Sequence, residues 1–187
     1  MAALRGHRVC LYEKGETLGG LVQQAAVPEF KKDLRRLLDW YTLQMKKTAV
    51  DVHLNCEVTK DLIRTSSPDV AILATGSKSV IPRIPGSEKD LVVTAVELLK
   101  GEKEAGERVL IVGGGLSGCE IAIWLANQGK LPIIVEMLPK LMDGGIHVPT
   151  QVKSMTLDLL EQSQAKILTD SRVQEITAQG VTISDTM

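Results

Sequence analysis

The chain has 187 residues, of which 44% are hydrophobic, 24% are charged and 3% are aromatic, and 22 basic residues nearly balance 23 acidic ones. This composition is typical of a globular protein whose core needs no disulfide or metal, built as one domain or as two small ones. A net charge of −1 with interspersed signs does not indicate a surface for nucleic acid or anionic membrane.

The sequence indicates neither a membrane-spanning segment nor a functional cysteine site. No stretch approaches the roughly 18 uncharged apolar residues of a spanning helix, and the N-terminus lacks the order of a signal peptide, so we expect a cytoplasmic protein without a membrane partner. Three widely spaced cysteines, Cys10, Cys56 and Cys119, cannot form a local disulfide framework or a CxxC site. We therefore predict no metal site and no catalytic cysteine.

Short β-branched apolar runs alternate with longer helical patterns, which is typical of an α/β fold with a parallel sheet. The predicted elements are, in chain order, strand 9–13, helix 30–45, strand 69–74, helix 95–100, strand 108–112, helix 121–128, strand 133–136, helix 150–162 and the short strands 166–169, 173–176 and 181–184. We start the strand after Pro132 because proline cannot donate to a sheet ladder. Prolines and glycines between residues 77 and 106 predict a connection, with a domain boundary near Gly101.

The strongest local signal is an apolar strand that runs into Gly113, Gly115 and Gly118 at GxGxxG spacing and then into a helix. A second strand ends at Glu136, which completes a strand–helix–strand unit with an acidic residue about 20 residues after the first glycine. Glu136 can accept hydrogen bonds from both ribose hydroxyls, and its charge would repel a 2′-phosphate. The pattern therefore favours NAD(H) over NADP(H), the alternative being a glycine-rich turn without nucleotide.

Each glycine of the motif has a physical role. Gly113 allows the tight turn, Gly115 lets the backbone approach a pyrophosphate, and Gly118 lets the helix lie close to the strand. The free amides at the start of the helix, those of Leu116 and Ser117 among them, then face the phosphate charge.

An internal repeat places a second unit at the start of the chain. Residues 3–13 match residues 126–136, since both contain a helix end, a glycine, a strand and a terminal glutamate. The first copy is thus interpreted as the back half of a second dinucleotide unit, with Glu13 at the ribose position. We expect its first strand and phosphate loop to lie outside the chain. The loss of a central strand exposes apolar faces that other chains can cover, which predicts a homo-oligomer.

Five short runs carry a resemblance: 5–7 (Arg-Gly-His), 11–14 (Leu-Tyr-Glu-Lys), 18–20 (Leu-Gly-Gly), 68–77 (Pro-Asp-Val-Ala-Ile-Leu-Ala-Thr-Gly-Ser) and 84–86 (Ile-Pro-Gly). They resemble the flavin-domain half of the NADH:flavin oxidoreductases, and within these the 2,4-dienoyl-CoA reductase, enoate reductase and trimethylamine dehydrogenase group. The runs 113–120 and 135–138 are similar to that group's inserted NAD domain. The resemblance covers nearly all of the chain.

The resemblance implies a Rossmann-like FAD/NAD(P)-binding fold of the two-dinucleotide-binding-domain flavoprotein type, truncated at both ends. Residues 1–100 would be a partial FAD-binding domain without its first strand and phosphate loop. Residues 101–187 would be the NAD(H)-binding Rossmann-like domain, incomplete at its C-terminus. The expected cofactors are therefore NAD(H) and FAD.

The same resemblance implies residues at the flavin site. Glu13 and Lys14 would face the FAD adenosine, and Gly19 and Gly20 would line its path. Ala74, Thr75 and Gly76 would mark the strand end where the two dinucleotide lobes meet. The alternatives are an ordinary flexible turn at Gly19 and Gly20 and a simple strand-ending turn over 74–76.

In this family a hydride passes from nicotinamide to FAD, and electrons continue through an iron–sulfur cluster to FMN in a barrel domain that reduces an activated C=C bond. The barrel, the cluster cysteines and a general acid have no motif here, since His7, His53 and His147 lack recognisable partners. The sequence thus predicts a fragment that serves as an electron-input module. A nucleotide-binding module (ADP or NAD) without turnover is the alternative, whereas a thioredoxin-reductase-like enzyme would need a cysteine pair.

Overall fold

The structure is a computed structural model that describes residues 1–186. Contacts divide the chain into two compact units, Met1–Lys78 and Ser79–Met187. This division falls earlier than the predicted boundary near Gly101, because the helix Ala95–Lys100 contacts the helix Leu116–Ala126. The assignment of residues 1–100 to FAD and of residues 101–187 to NAD(H) remains a prediction.

The first unit is built on two parallel strands, β1 (Val9–Tyr12) and β2 (Val50–His53), paired in register from Val9 opposite Val50 to Tyr12 opposite His53. Its helices are α1 (Leu21–Ala25), α2 (Asp33–Lys47) and α3 (Lys60–Ser66), and short 3-10 turns cover Ala3–Arg5 and Glu29–Lys31. The pattern predicted β1 and α2. It missed β2, because Asp51 and His53 interrupt a run of only four residues.

The predicted strand 69–74 is wrong for the described chain. These residues form no strand, and Val70, Ile72 and Leu73 are 77%, 85% and 78% exposed. An apolar, β-branched run becomes a strand only where a neighbouring backbone pairs with it, and no described strand does so.

The second unit contains the elements that the sequence predicted, with shifted ends. In chain order they are α4 (Ala95–Lys100), β3 (Arg108–Val112), α5 (Leu116–Ala126), β4 (Leu131–Val135), α6 (Thr150–Ser163), β5 (Lys166–Leu168), β6 (Ser171–Ile176) and β7 (Val181–Asp185). A parallel sheet has the order β3-β4-β5, and β6 pairs antiparallel with β7. This arrangement confirms the predicted α/β class.

Apolar residues on every face of α5 explain why it forms the centre of this unit. Its fully buried residues include Cys119, Ala122 and Leu125, and Ile134 of β4 is equally buried. Helix α5 contacts β3, β4 and α6. The start of α5, and with it the loop after β3, is therefore fixed by the core.

β4 begins two residues earlier than predicted and includes Pro132, which lies opposite Val109 of β3. Pairing with β5 begins only at Ile133, so the missing N–H of Pro132 interrupts no bond to that strand. Within residues 1–186, no helix has both the length and the apolar character needed to cross a membrane.

Candidate dinucleotide-binding site

The glycine-rich loop joins the end of β3 to the start of α5, as the sequence predicted. The Gly113 N–H donates to the Val135 carbonyl oxygen at 2.9 Å, which extends the pairing of β3 with β4 by one residue. Gly113 has a φ of 100°, a conformation that favours glycine. The chain can therefore turn sharply at the carboxyl end of β3.

Gly118 brings the first turn of α5 against this loop. A Cβ at position 118 would collide with the Gly113 carbonyl oxygen and would lie 3.5 Å from Ile111 Cγ2. No larger residue fits between the helix and the strand at this point, which is the role the spacing predicts for the third glycine.

Gly115 faces open space, because a Cβ there would meet no atom within 4 Å. It is the N-cap of α5, and no side chain caps the helix. The amides of Leu116 and Ser117, in the first turn, thus have no acceptor within the helix. Open space beside uncapped amides and the positive end of the helix dipole fits a pyrophosphate.

Glu136 follows β4 and makes four hydrogen bonds to main-chain groups of other residues, two through its own main chain and two through its side chain. Its N–H donates to the Leu168 carbonyl oxygen at 2.8 Å, and its carbonyl oxygen accepts from the Ser171 N–H at 2.9 Å. In the side chain, Oε2 accepts from the Gly114 N–H at 2.7 Å and Oε1 from the Leu138 N–H at 2.8 Å. Each carboxylate oxygen can accept a further hydrogen bond, so the group can still receive ribose hydroxyls.

Cys119 lies beneath the loop as a packed thiol. It is fully buried, and its Sγ donates to the Gly114 carbonyl oxygen at 3.4 Å. Burial, and then the charges of Glu120 and Glu136, raise the pKa of this thiol to about 12. The thiol is therefore protonated and unreactive at neutral pH.

In the first unit, Glu13 has the same main-chain environment as Glu136. Its N–H donates to the His53 carbonyl oxygen at 2.9 Å, its carbonyl oxygen accepts from the Cys56 N–H at 2.9 Å, and its Oε1 accepts from the Gly15 N–H at 2.7 Å. The internal repeat is thus a repeat of geometry at a strand end as well as of sequence.

The other residues expected at the flavin site lie outside the helices and strands. Gly19 and Gly20 precede α1 with φ values of 121° and 49°, and Gly20 is its N-cap. A Cβ on Gly19 would lie 2.6 Å from Leu38 Cδ2, so backbone conformation and space both require this glycine. Lys14 is exposed, and Ala74, Thr75 and Gly76 are exposed and outside any helix or strand.

The structure corrects one expectation about the histidines. His53 has partners: its ring stacks on Tyr12 at 4.8 Å between centroids, and its Nε2 lies 3.1 Å from Asp51 Oδ2. The alternation of Asp51 and His53 on one face was the available signal, which the missed strand β2 concealed. Sequence reasoning also missed Gly114, although three consecutive glycines marked the position.

A parallel strand, a glycine-rich turn, an uncapped helix and an acidic residue at the next strand end define a Rossmann-type dinucleotide-binding domain. The family model for pyridine nucleotide-disulphide oxidoreductases matches residues 1–187. The chain belongs to this family, which confirms the predicted FAD/NAD(P)-binding fold and the FAD and NAD(H) class of cofactor.

Curated relatives match almost the whole chain. Cinnamate reductase of Clostridium sporogenes is 37% identical over 98% of this chain and 27% of its own length. Bilirubin reductase of Mediterraneibacter gnavus is 35% identical over 97% of the chain and 28% of its own length. The chain therefore spans little more than a quarter of these relatives. They confirm the resemblance to reductases of the enoate reductase type.

Solved structures show the same fold. A complex of 2-naphthoyl-CoA reductase with 2-naphthoyl-CoA has a TM-score of 0.91 and 29% identity over 98% of this chain and 27% of that one. Histamine dehydrogenase from Rhizobium sp. 4-9 has a TM-score of 0.76 and 19% identity over 97% of this chain and 30% of its own. The second similarity is evidence of fold alone.

Proposed function

We propose that this chain is the electron-input module of an NADH-dependent flavin oxidoreductase. When both are bound, NADH supplies a hydride and FAD accepts it. The observation that carries the proposal is the Glu136 carboxylate, held at the carboxyl end of β4 by the amide of Gly114 in the glycine-rich loop. A carboxylate beside an uncapped helix start supports binding of a ribose and a pyrophosphate at this strand end.

The residues assigned to NADH are Gly113, Gly115, Leu116, Ser117, Gly118 and Glu136. The loop glycines give the pyrophosphate access to the backbone, and the uncapped first turn of α5 supplies N–H donors. Glu136 accepts from the ribose hydroxyls and repels a 2′-phosphate. These roles make the second unit selective for NADH.

The residues assigned to FAD are Glu13, Lys14, Gly19, Gly20, Ala74, Thr75 and Gly76. Support comes from Glu13, because it has the main-chain environment of Glu136 at the end of the equivalent strand. We propose that Glu13 accepts from the flavin adenosine ribose. The phosphate loop of this unit is proposed to lie outside residues 1–187.

For the whole protein we propose reduction of an activated C=C bond in a barrel domain that holds FMN and an iron–sulfur cluster, all outside this chain. The reductase names of the relatives support this substrate class, and the chain's share of about 27% of their length leaves room for such a domain. We further propose that the protein is cytoplasmic and homo-oligomeric.

A second candidate is a nucleotide-binding module without turnover. It is favoured by one observation: the open, uncapped helix start lies in the loop that contacts Glu136, whereas residues 74–76, assigned to FAD, are exposed and outside any helix or strand. Mass spectrometry of the nucleotide released on denaturing the purified protein distinguishes the two. FAD supports the electron-input module, whereas NAD or ADP alone supports the second candidate.

A further inference from the structure

Gly114 is held on three sides by groups outside the glycine-rich loop. Its N–H donates to Glu136 Oε2 at 2.7 Å, and its carbonyl oxygen accepts from the Met142 N–H at 2.9 Å. A Cβ at this position would collide with Leu141 Cδ2 and would lie 3.1 Å from Glu136 Cβ. Any side chain at position 114 must therefore displace Leu141, Glu136 or both.

Glycine is required at position 114 because a side chain there has no space, and not because of its backbone conformation. Gly114 is not one of the three fingerprint positions, and its φ lies outside the left-handed region. The φ angle alone therefore does not require glycine here. The requirement for glycine thus comes only from the closeness of Leu141 and Glu136.

The segment that carries Leu141 is itself fixed. We call residues 137–143 the clamp segment, and both Leu141 and Met142 in it are buried. Three of its main-chain carbonyl oxygens accept hydrogen bonds from outside the segment. Met137 accepts from Thr186 Oγ1 at 3.2 Å, Leu138 from the Asp170 N–H at 3.2 Å, and Met142 from Lys153 Nζ at 3.3 Å. These bonds hold the main chain on either side of Leu141, and the Leu141 side chain is buried next to Gly114.

We propose that Gly114 and Leu141 are positioning residues that set the preference for NADH over NADPH by fixing the Glu136 carboxylate. A fixed carboxylate accepts from a 2′-hydroxyl and opposes a 2′-phosphate at the same place. A carboxylate displaced from the Gly114 amide loses part of both effects. This inference rests on the proposed binding of NADH at the glycine-rich loop.

The test is a double-mutant cycle with Gly114→Ala, Leu141→Val and both together, read as dissociation constants for NADH and NADPH. Valine has no Cδ, so Leu141→Val removes the atom with which the new Cβ collides. Gly106→Ala is the control, since a Cβ there meets no atom within 4 Å. Melting temperatures of all variants report the structural cost separately.

We expect Gly114→Ala to weaken NADH binding about 10-fold, the loss typical of a hydrogen bond to a charged group. NADPH binding should not weaken, because a displaced carboxylate also opposes the 2′-phosphate less. The double variant should recover most of the NADH affinity lost in Gly114→Ala, and Gly106→Ala should resemble the parent protein. Equal losses for both nucleotides, or no recovery in the double variant, would overturn the inference.

Glu136→Asp makes the same test if Gly114→Ala does not fold. It keeps the charge but withdraws it by one methylene from the Gly114 amide, so the NADH preference falls if position matters and persists if only charge matters. A parent protein that binds neither nucleotide would instead overturn the proposed function, and this inference with it. If the parent protein binds NADH and the variants keep its preference for NADH over NADPH, the positioning role is overturned and the proposed function is not.

Discussion

Glu13 and Glu136 make matching main-chain hydrogen bonds at the ends of equivalent strands. The N–H of each glutamate donates to the carbonyl oxygen of the last residue of the neighbouring parallel strand. The Oε1 atom of each accepts from the N–H two residues later in the chain, at 2.7 Å for Glu13 and 2.8 Å for Glu136. Glu136 has one further partner, Gly114 of the glycine-rich loop. The two glutamates thus have equivalent main-chain geometry at the ends of β1 and β4.

Replacement of Glu136 tests its assignment to the NADH ribose. Glu136→Ala should weaken NADH binding about 10-fold or more, because it removes a charged acceptor, and should weaken NADPH binding less. Fluorescence titration with both nucleotides measures this difference. Glu13→Ala is the matched control and should leave NADH binding unchanged. An equal loss of both nucleotides in Glu136→Ala would refute the ribose role.

Two glycines of the same motif should separate folding from binding. Gly118→Ala should lower the free energy of unfolding by more than about 1 kcal/mol, because its Cβ collides with the Gly113 carbonyl oxygen. Gly115→Ala should fold normally, since its Cβ faces open space. It should nevertheless weaken NADH binding, because the added Cβ would block the approach of the pyrophosphate to the backbone. Denaturant unfolding and NADH titration of both variants check this. Gly115→Ala with parent affinity would contradict the assignment.

The buried thiol predicts a pH dependence of stability. Burial raises the pKa of Cys119 from 9.0 to about 12, so the folded state holds this proton more tightly than the unfolded state. The resulting stabilisation is complete below pH 9 and is lost as pH rises towards 12. Unfolding free energies measured over this range should fall less steeply in Cys119→Ala than in the parent. The same slope in both proteins would contradict the prediction.

Thiol labelling checks the same environment at neutral pH. Cys10 is exposed and should react quickly with a thiol reagent, whereas Cys119 should react only after unfolding. Rapid native labelling of Cys119, identified by peptide mapping, would show that the helix start is open.

The exposed run 69–74 predicts self-association. Val70, Ile72 and Leu73 present apolar surface with unpaired backbone, which a second chain can cover. Sedimentation should show an oligomer, and Ile72→Lys should shift it towards monomer without changing NADH affinity. A monodisperse monomer of the parent protein would exclude the homo-oligomer.

The sequence predicted the elements of the second unit because β3, β4 and α5 are predominantly apolar and glycines mark the turns beside them. It could not predict the contact between Leu141 and Gly114, since the two residues lie on different connections and meet only when β3 and β4 pair. The run 69–74 shows the opposite case. Its strand pattern is clear, but a strand also needs a partner, which local sequence does not reveal.

The run 84–86, which carries part of the family resemblance, contacts the end of β6. The Ile176 N–H donates to the Pro85 carbonyl oxygen at 2.8 Å, and a Cβ on Gly86, whose φ is 86°, would collide with the Ile176 carbonyl oxygen. These residues therefore join the connection to the end of β6. The sequence showed the motif, and only the structure shows its contact.

The most direct test of the electron-input role is anaerobic mixing of NADH with the protein after reconstitution with FAD. We expect the flavin absorbance to bleach with single-turnover kinetics, faster with NADH than with NADPH, and to bleach slowly in Glu136→Ala. Binding of NADH to a flavin-loaded protein without any bleaching would contradict the account and would leave a nucleotide-binding module without turnover.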